Sequence, residues 1–157
     1  MDRVNVGCGT ILLPGYINLD VDGAEGGVQC DVRDGLPFGN GELAEVRADQ
    51  FIEHLTVDDL REFLRECARV LCQGGEIRLS FPDIAAIAGM AARRELDAVA
   101  HQECVDSGLG LLNYMGHGWG HKSILTLELV QREVTTWFEP MWACVVGTNG
   151  LLIARKR

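Results

Sequence analysis

A short N-terminal segment constrains the fold of this chain more than any other. The stretch VNVGCGT, residues 4–10, places a β-branched run before two glycines, and GYINLDVD, residues 15–22, is a second apolar run that ends on aspartates. Apolar, β-branched runs bounded by glycine or aspartate are typical of strands. No full helix fits between Gly9 and Ile17, so a short loop must join the first two strands.

Strands and helices alternate along the rest of the sequence. The strands are predicted at Arg3–Gly7, Tyr16–Val21, Gly27–Val32, Leu43–Asp49, Glu76–Phe81, Met141–Val146 and Leu151–Lys156. The helices are predicted at Thr56–Leu71, Ile84–Ala100, Cys104–Met115 and Thr126–Thr135. Gly74 and Gly75 are predicted to end the first helix, and Asn149-Gly150 predicts a hairpin turn. This order indicates an α/β fold with a mostly parallel sheet and one antiparallel strand.

Size, charge and cysteine usage limit the classes of function. The 157 residues are predicted to form one domain, 1–157. Their net charge of −9 disfavours a nucleic-acid partner, because an acidic surface repels phosphates. Six cysteines are scattered without a CxxC pair, which is typical of reduced thiols in the cytoplasm. No apolar run approaches the roughly 20 residues that span a bilayer. We therefore predict a cytoplasmic protein with neither a signal segment nor a membrane partner.

The ends of the first three predicted strands carry the residues of a nucleoside site. In parallel sheets, ligands bind beyond the carboxyl ends of the strands. Gly7 and Gly9 let the backbone N–H groups approach a ligand there. Asp20, at the end of the second strand, can accept two hydrogen bonds from a ribose diol, and Asp31, at the end of the third, can accept from an exocyclic amine.

A dinucleotide site is the natural alternative for such a glycine turn. It requires the pattern G-x-G-x-x-G with an acid about 20 residues further on. Leu12 occupies the third glycine position, and Asp20 comes too soon. The loop also lacks a helix N-terminus that would hold a pyrophosphate. The pattern favours an adenosine ligand without phosphates, such as S-adenosylmethionine.

Five stretches of the chain resemble one family. VNVGCGT, GYINLDVD, CDVRDGLPF, RADQFIEHL and LRECARVLCQGGEIRLSFPD are similar to small class I S-adenosylmethionine-dependent methyltransferases of the type-11-like group, as is HKS at His121–Ser123. The likeness covers nearly the whole chain and is strongest from Val4 to Asp83. It implies a Rossmann-like methyltransferase fold, with a mostly parallel seven-stranded sheet and a C-terminal antiparallel hairpin strand, shortened at the N-terminus.

The resemblance also implies cofactor-binding roles by position. It places Gly7, Cys8 and Gly9 along the methionine portion, Asp20 on the ribose hydroxyls, Val21 against the adenine, Asp31 and Val32 at the adenine edge, and Asp49 and Gln50 near the amino-acid end or the methyl group. The helices usually found before the first strand and between the first two are missing or nearly absent. The resemblance therefore leaves the pocket either open or closed by a partner subunit.

Histidines are the candidate catalytic bases. A base assists methyl transfer to a hydroxyl or amine by removing its proton. We predict His121 and His54 as catalytic and rank His121 ahead of His117. The alternative for His54 is a packing role beside Leu55, and the alternative for His121 is a solvated loop. The HxxxH spacing of His117 and His121 is interrupted by glycines and lacks a third ligand, so no metal site is predicted.

These features lead to one functional hypothesis and two alternatives. We expect S-adenosylmethionine-dependent methyl transfer to a small-molecule or saccharide-like acceptor. One alternative is an S-adenosylmethionine-binding protein without transferase activity, acting as a regulator or partner subunit. The other, a nucleotide-sugar or dinucleotide oxidoreductase, is disfavoured by the missing third glycine. The aromatic cluster Trp137, Phe138 and Trp142 is predicted mainly as core, with a homodimer surface as the alternative.

Overall fold

The computed structural model describes residues 1–23, 25–96 and 120–157. The strands are β1 (Asp2–Val6), β2 (Ile17–Asp20), β3 (Val28–Gln29), β4 (Leu43–Asp49), β5 (Leu71–Pro82), β6 (Phe138–Val146) and β7 (Asn149–Lys156). The helices are α1 (Val57–Val70), α2 (Ile84–Ala92) and α3 (Leu127–Val134), with short 3-10 turns at Val32–Asp34 and Ile52–His54. The predicted helix Cys104–Met115, His117 and Trp119 lie outside the described residues.

All seven strands form one sheet in the order β3-β2-β1-β4-β5-β7-β6. Strands β1 to β5 pair in parallel, and β7 runs antiparallel between β5 and β6. The strand order reverses between β1 and β4, and a crevice opens at such a switch point beyond the carboxyl ends of the strands. The predicted α/β architecture, with its C-terminal antiparallel hairpin, is confirmed.

The connection from β1 to β2 is a hydrogen-bonded loop without a helix, as the sequence predicts. Asn18 holds it: its Oδ1 accepts from the Leu13 backbone N–H and from Asn5 Nδ2, both at 2.9 Å. The Cys8 N–H donates to the Leu19 carbonyl at 3.0 Å. The loop therefore folds back on β2 and brings the glycine turn beside the end of that strand.

The two faces of the sheet differ sharply in polarity. One face buries Val4, Val46 and Ile77 under helices α1 and α3, whose Phe63 and Val134 are also fully buried. On the other face, Asn18, Asn5, Arg47 and Arg78 are successive cross-strand neighbours. Alternation of side chains along each strand produces this division, and it places the main hydrophobic cluster of the described residues on the first face.

Helix α1 ends directly at the start of β5, which differs from the prediction at this junction. Thr56 and Asp59 form a reciprocal capping box at its N-terminus. Its last residue is Val70, and Leu71 already belongs to the strand. Gly74 and Gly75 lie inside β5, at a bulge where its register with β4 shifts. The glycine pair therefore shapes the strand rather than ending the helix.

Three other predicted boundaries are corrected by the structure. Helix α2 ends at Ala92, and residues 93–96 form turns. Strand β3 contains only Val28 and Gln29. The hairpin turn is Gly147-Thr148, because Val146 and Asn149 are already a cross-strand pair. Gly150 lies inside β7, where glycine is required by packing and not by a turn, since a Cβ there would lie 2.7 Å from the Phe81 ring.

No helix among the residues that the structure describes is long and apolar enough to cross a membrane.

Candidate functional site

A cleft of about 470 Å³ opens at the carboxyl ends of β1, β2 and β4. It is bounded by the glycine turn, the end of β2, the turn after β3 and the segment between β4 and α1. The predicted site residues that line it are Gly7, Gly9, Asp20, Val21, Asp31, Val32, Gln50 and His54. The topology therefore brings most of the predicted cofactor-binding residues into one concave surface.

The glycine turn and Asp20 form a single unit. The Gly9 N–H donates to Oδ2 of Asp20 at 2.8 Å, and the Asp22 N–H donates to Oδ1 at 3.1 Å. Each carboxylate oxygen has a second lone pair for a ligand hydroxyl. The carboxylate is therefore oriented before any ligand arrives and can still accept from a ribose diol.

The packing of Phe51 explains why the first position of the turn is glycine. Gly7 has a φ of +69°, and a Cβ added to it would lie 2.7 Å from Cγ of Phe51. At Gly9 no atom lies within 4 Å of the added Cβ. The absence of a side chain at Gly7 therefore makes room for the Phe51 ring, whereas no other residue in the described part of the chain packs against the same side of Gly9.

Asp31 occupies a different local structure from the predicted strand end. Because β3 stops at Gln29, Asp31 instead caps the 3-10 turn and accepts from the Arg33 backbone N–H at 3.0 Å. The Arg33 guanidinium Nε also contacts both its carboxylate oxygens, at 2.9 and 3.0 Å. Hydrogen bonds from the Arg33 side chain and backbone lower the Asp31 pKa to about 2. An adenine amine would share this carboxylate with Arg33.

Gln50 and Asp49 are neighbours at the end of β4, but their side chains lie in different surroundings. Gln50 has a φ of +50°, donates its backbone N–H to the Ser80 carbonyl at 2.8 Å and lines the cleft. Asp49 does not line the cleft: its carboxylate accepts from Arg47 Nε at 2.5 Å and from the Ser80 hydroxyl at 3.0 Å. Asp49 lies on the same face of β4 as Arg47, because side chains alternate along a strand, whereas Gln50 lies beyond the end of the strand with a positive φ.

Cys8 also lies off the cleft wall. Its side chain is buried, and Sγ lies 3.5 Å from the Gly9 carbonyl oxygen. Burial, followed by the nearby Asp20 charge, raises the pKa of this thiol. Cys8 therefore packs beneath the turn as a neutral group, while its neighbours Gly7 and Gly9 face the ligand space.

The structure brings the two predicted catalytic histidines together. The rings of His54 and His121 meet edge to face with centroids 5.0 Å apart. His54 lines the cleft, whereas His121 lines a neighbouring cavity of about 20 Å³. The N–H groups of Lys122 and Ser123 donate to the Glu53 carbonyl at 2.9 and 3.1 Å, which fixes the segment that carries His121.

Glu53 is the residue that the sequence reasoning misses. Its side chain is only 2% exposed, and its Oε2 has no hydrogen-bond partner within the described parts of the chain. Burial raises its pKa to about 7. The available sequence signal is its position in FIEHL, where a lone acid stands between buried Ile52 and Leu55. Lys122 is a second missed residue, and it lines the same cleft as His54.

Part of the chain matches a known protein family. Residues 14–79 match the sequence profile of a family described as "Methyltransferase domain". This segment includes Asp20, Asp31, Gln50 and His54, but begins after the glycine turn. No curated protein matches the chain.

Solved structures share the fold over 99% of this chain at low identity. The PH0226 protein from Pyrococcus horikoshii has a TM-score of 0.69 at 14% identity, with 82% of its own chain covered. An S-adenosylmethionine-dependent methyltransferase from Mesorhizobium loti has a TM-score of 0.68 at 16% identity, with 90% covered. The [4+2]-cyclase SpnF has a TM-score of 0.65 at 15% identity, with 74% covered.

The profile match over residues 14–79 and the shared fold agree with the Rossmann-like methyltransferase fold that the sequence predicts.

Proposed function

We propose that the cleft binds S-adenosylmethionine and that the protein transfers its methyl group to a small-molecule or saccharide-like acceptor. The observation that carries this proposal is the Gly9–Asp20 hydrogen bond at the mouth of the cleft. It holds a carboxylate where a ribose diol can bind, in a loop without the helix N-terminus that a pyrophosphate needs. The cofactor's sulfonium is already activated, so positioning of the acceptor supplies much of the acceleration.

His54 and His121 are the proposed catalytic groups. As a nucleophilic oxygen or nitrogen of the acceptor attacks the methyl carbon, the carbon–sulfur bond breaks and S-adenosylhomocysteine leaves. The acceptor's proton passes to a base. His54 lines the cleft and is in contact with His121, so this pair can take that proton and move it away from the reacting centre.

An S-adenosylmethionine-binding protein without transferase activity is the second candidate. The same fold is shared by SpnF, which is described as a [4+2]-cyclase and not as a methyltransferase. A shared fold therefore does not settle the reaction.

Calorimetric titration and turnover separate these functions. We expect binding of S-adenosylmethionine and S-adenosylhomocysteine, but not NAD, and release of S-adenosylhomocysteine with part of a panel of small alcohols, amines and saccharides. Binding without turnover across that panel would favour the binding protein. Binding of NAD in place of S-adenosylmethionine would contradict the proposal.

We also propose a homodimer formed through β6. This strand lies at the sheet edge, and its Met141 and Trp142 are each 48% exposed. Unpaired edge strands with apolar side chains are prone to pair with another chain. Trp142→Lys should convert a dimer to a monomer in light scattering after size-exclusion chromatography, whereas a monomeric parent protein would contradict the proposal.

A cytoplasmic location remains the proposal for this protein. The five described cysteines are free thiols, which fits a reducing compartment.

A further inference from the structure

A cluster of three metal-ligating side chains lies beside the cofactor cleft. One ligand atom each from Glu53, His54 and His121 lies within 4.8 Å of the other two. Glu53 and His54 belong to the short turn before α1, and His121 reaches them from a segment distant in sequence. The backbone bonds from Lys122 and Ser123 to Glu53 hold the two segments together.

Glu53 supplies an independent reason to expect a ligand here. A buried carboxylate without a partner is costly unless it is neutralised, paired or bound to a metal. Its Oε2 is fully buried and has no hydrogen-bond partner in the described regions. No salt bridge formed by the described residues includes Glu53. A cation between Glu53 and the two histidines would satisfy this oxygen.

The histidines have the chemistry that such a cation needs. A neutral imidazole has one acceptor nitrogen for a metal and one N–H for a neighbouring acceptor. His54 Nδ1 lies 3.4 Å from the Gly120 carbonyl oxygen, so the ring has a backbone partner of the kind that commonly orients metal-bound histidines. His121 places a ring nitrogen within 4.8 Å of the ligand atoms of both Glu53 and His54.

There is also space for a small ion or its bound water. The cavity of about 20 Å³ is lined by Glu53 and His121, with Pro82 and Leu125 among its apolar walls. A cavity of this size holds about one water molecule. On the other side of the histidine pair, His54 faces the cofactor cleft.

We propose that Glu53, His54 and His121 bind one divalent transition-metal ion, of the Zn²⁺ or Co²⁺ class, at the edge of the cofactor cleft. Two imidazoles and one carboxylate are a ligand set found in zinc and non-haem iron sites, which leave further positions for water or substrate. This departs from the prediction of no metal site, because the spacing of His117 and His121 gives no indication of Glu53 or His54. The proposal does not depend on methyl transfer: imidazoles that bind the ion cannot also take the acceptor's proton, so the proton-transfer role proposed for His54 and His121 belongs to the metal-free protein.

The test is a metal titration of chelator-stripped protein that carries no polyhistidine tag. Co²⁺ should bind in a 1:1 ratio and produce visible d–d absorption without thiolate charge-transfer bands. Competition with a chromophoric chelator measures the Zn²⁺ affinity. Glu53→Gln and His121→Gln should each weaken binding by at least about tenfold, since loss of even an outer-shell partner costs 10–100-fold. Glu128→Gln, an exposed acid in the first turn of α3, is the matched control.

Several outcomes would overturn the metal site. These are the absence of stoichiometric Co²⁺ binding, thiolate bands that place the ion on cysteine, or full affinity in Glu53→Gln. Binding that survives Glu53→Gln but is lost in His117→Gln would assign the metal elsewhere. Circular dichroism and S-adenosylmethionine titration of each variant verify folding, so failure of the metal site is distinguishable from failure of the proposed function.

Discussion

The backbone N–H of Gly9 donates a 2.8 Å hydrogen bond to the carboxylate of Asp20, joining the ends of two neighbouring parallel strands. The bond exists because the loop between β1 and β2 is short and returns at once to the sheet. It fixes the Asp20 carboxylate against the glycine turn, so the turn and the acid form one preformed unit at the cleft.

Replacement of Asp20 tests that element directly. Asp20→Ala should weaken S-adenosylmethionine binding by about 1.5–3 kcal/mol, the range for hydrogen bonds to a charged group. Isothermal titration calorimetry measures the change. Asp58→Ala, on the solvent face of α1 with a side chain 91% exposed, is the control. Unchanged affinity in Asp20→Ala would contradict the ribose assignment.

The contact between Gly7 and Phe51 predicts unequal effects of two similar substitutions. Gly7→Ala and Gly9→Ala both place a side chain at positive φ, but only the first adds a clash with the Phe51 ring. We expect Gly7→Ala to lower the free energy of unfolding by about 1–3 kcal/mol more than Gly9→Ala, as for overpacked cores. Urea denaturation without ligand measures this difference, and equal losses would show that Phe51 moves freely aside.

His121 is expected to affect turnover rather than cofactor binding. His121→Ala should lower kcat by on the order of 10²–10⁴, the usual contribution of a proton-transfer group, while the Kd for S-adenosylmethionine stays within about twofold. Release of S-adenosylhomocysteine with an identified acceptor measures kcat. Gln73→Ala, at an exposed position in β5, is the control. An unaltered rate in His121→Ala would remove this role.

The Asp31–Arg33 pair predicts a loss of stability in acid. The folded-state pKa of Asp31 is about 2, below the ordinary value of 3.8, so the unfolded chain binds the proton more readily. The stabilisation is therefore present above pH 3.8 and is lost as the pH falls towards 2. Because the pair is partly exposed, its size should not exceed about 1 kcal/mol.

Urea denaturation at pH 6 and pH 3 checks the contribution of Asp31. The parent protein should lose more stability than Asp31→Asn over this interval. An equal loss in both proteins would mean that the contact with Arg33 contributes nothing to folding.

Local sequence patterns predict most of the scaffold. Thr56 and Asp59 cap α1 because a threonine followed three residues later by an acid is a local signal. The helix-free loop before Ile17 and the strand ending at Asp20 are likewise readable from a few adjacent residues. Boundaries fail where contacts distant in sequence matter: Gly150 lies within β7 and packs against the Phe81 ring, so its glycine does not mark the hairpin turn.

Some residues of the candidate site can likewise be predicted from the sequence, and others cannot. Gly7, Gly9 and Asp20 can be predicted because strand ends in a parallel sheet meet at one edge. The orientations of the Cys8 and Asp49 side chains cannot be predicted in this way, because a match to a position in a family does not show where a side chain points. Asp31 lines the cleft, but its pairing with Arg33 depends on a turn that replaces the expected end of β3.

The sequence by itself determines the alternation of strands and helices, the order of glycine and acid at the first two strand ends, and the lack of a pyrophosphate-binding helix between them. These depend on contacts between residues close in the chain. Only the tertiary structure decides that Glu53 is buried beside His54 and His121, because that contact joins segments far apart in sequence. Their meeting depends on the summed packing of the sheet and the helices that cover it.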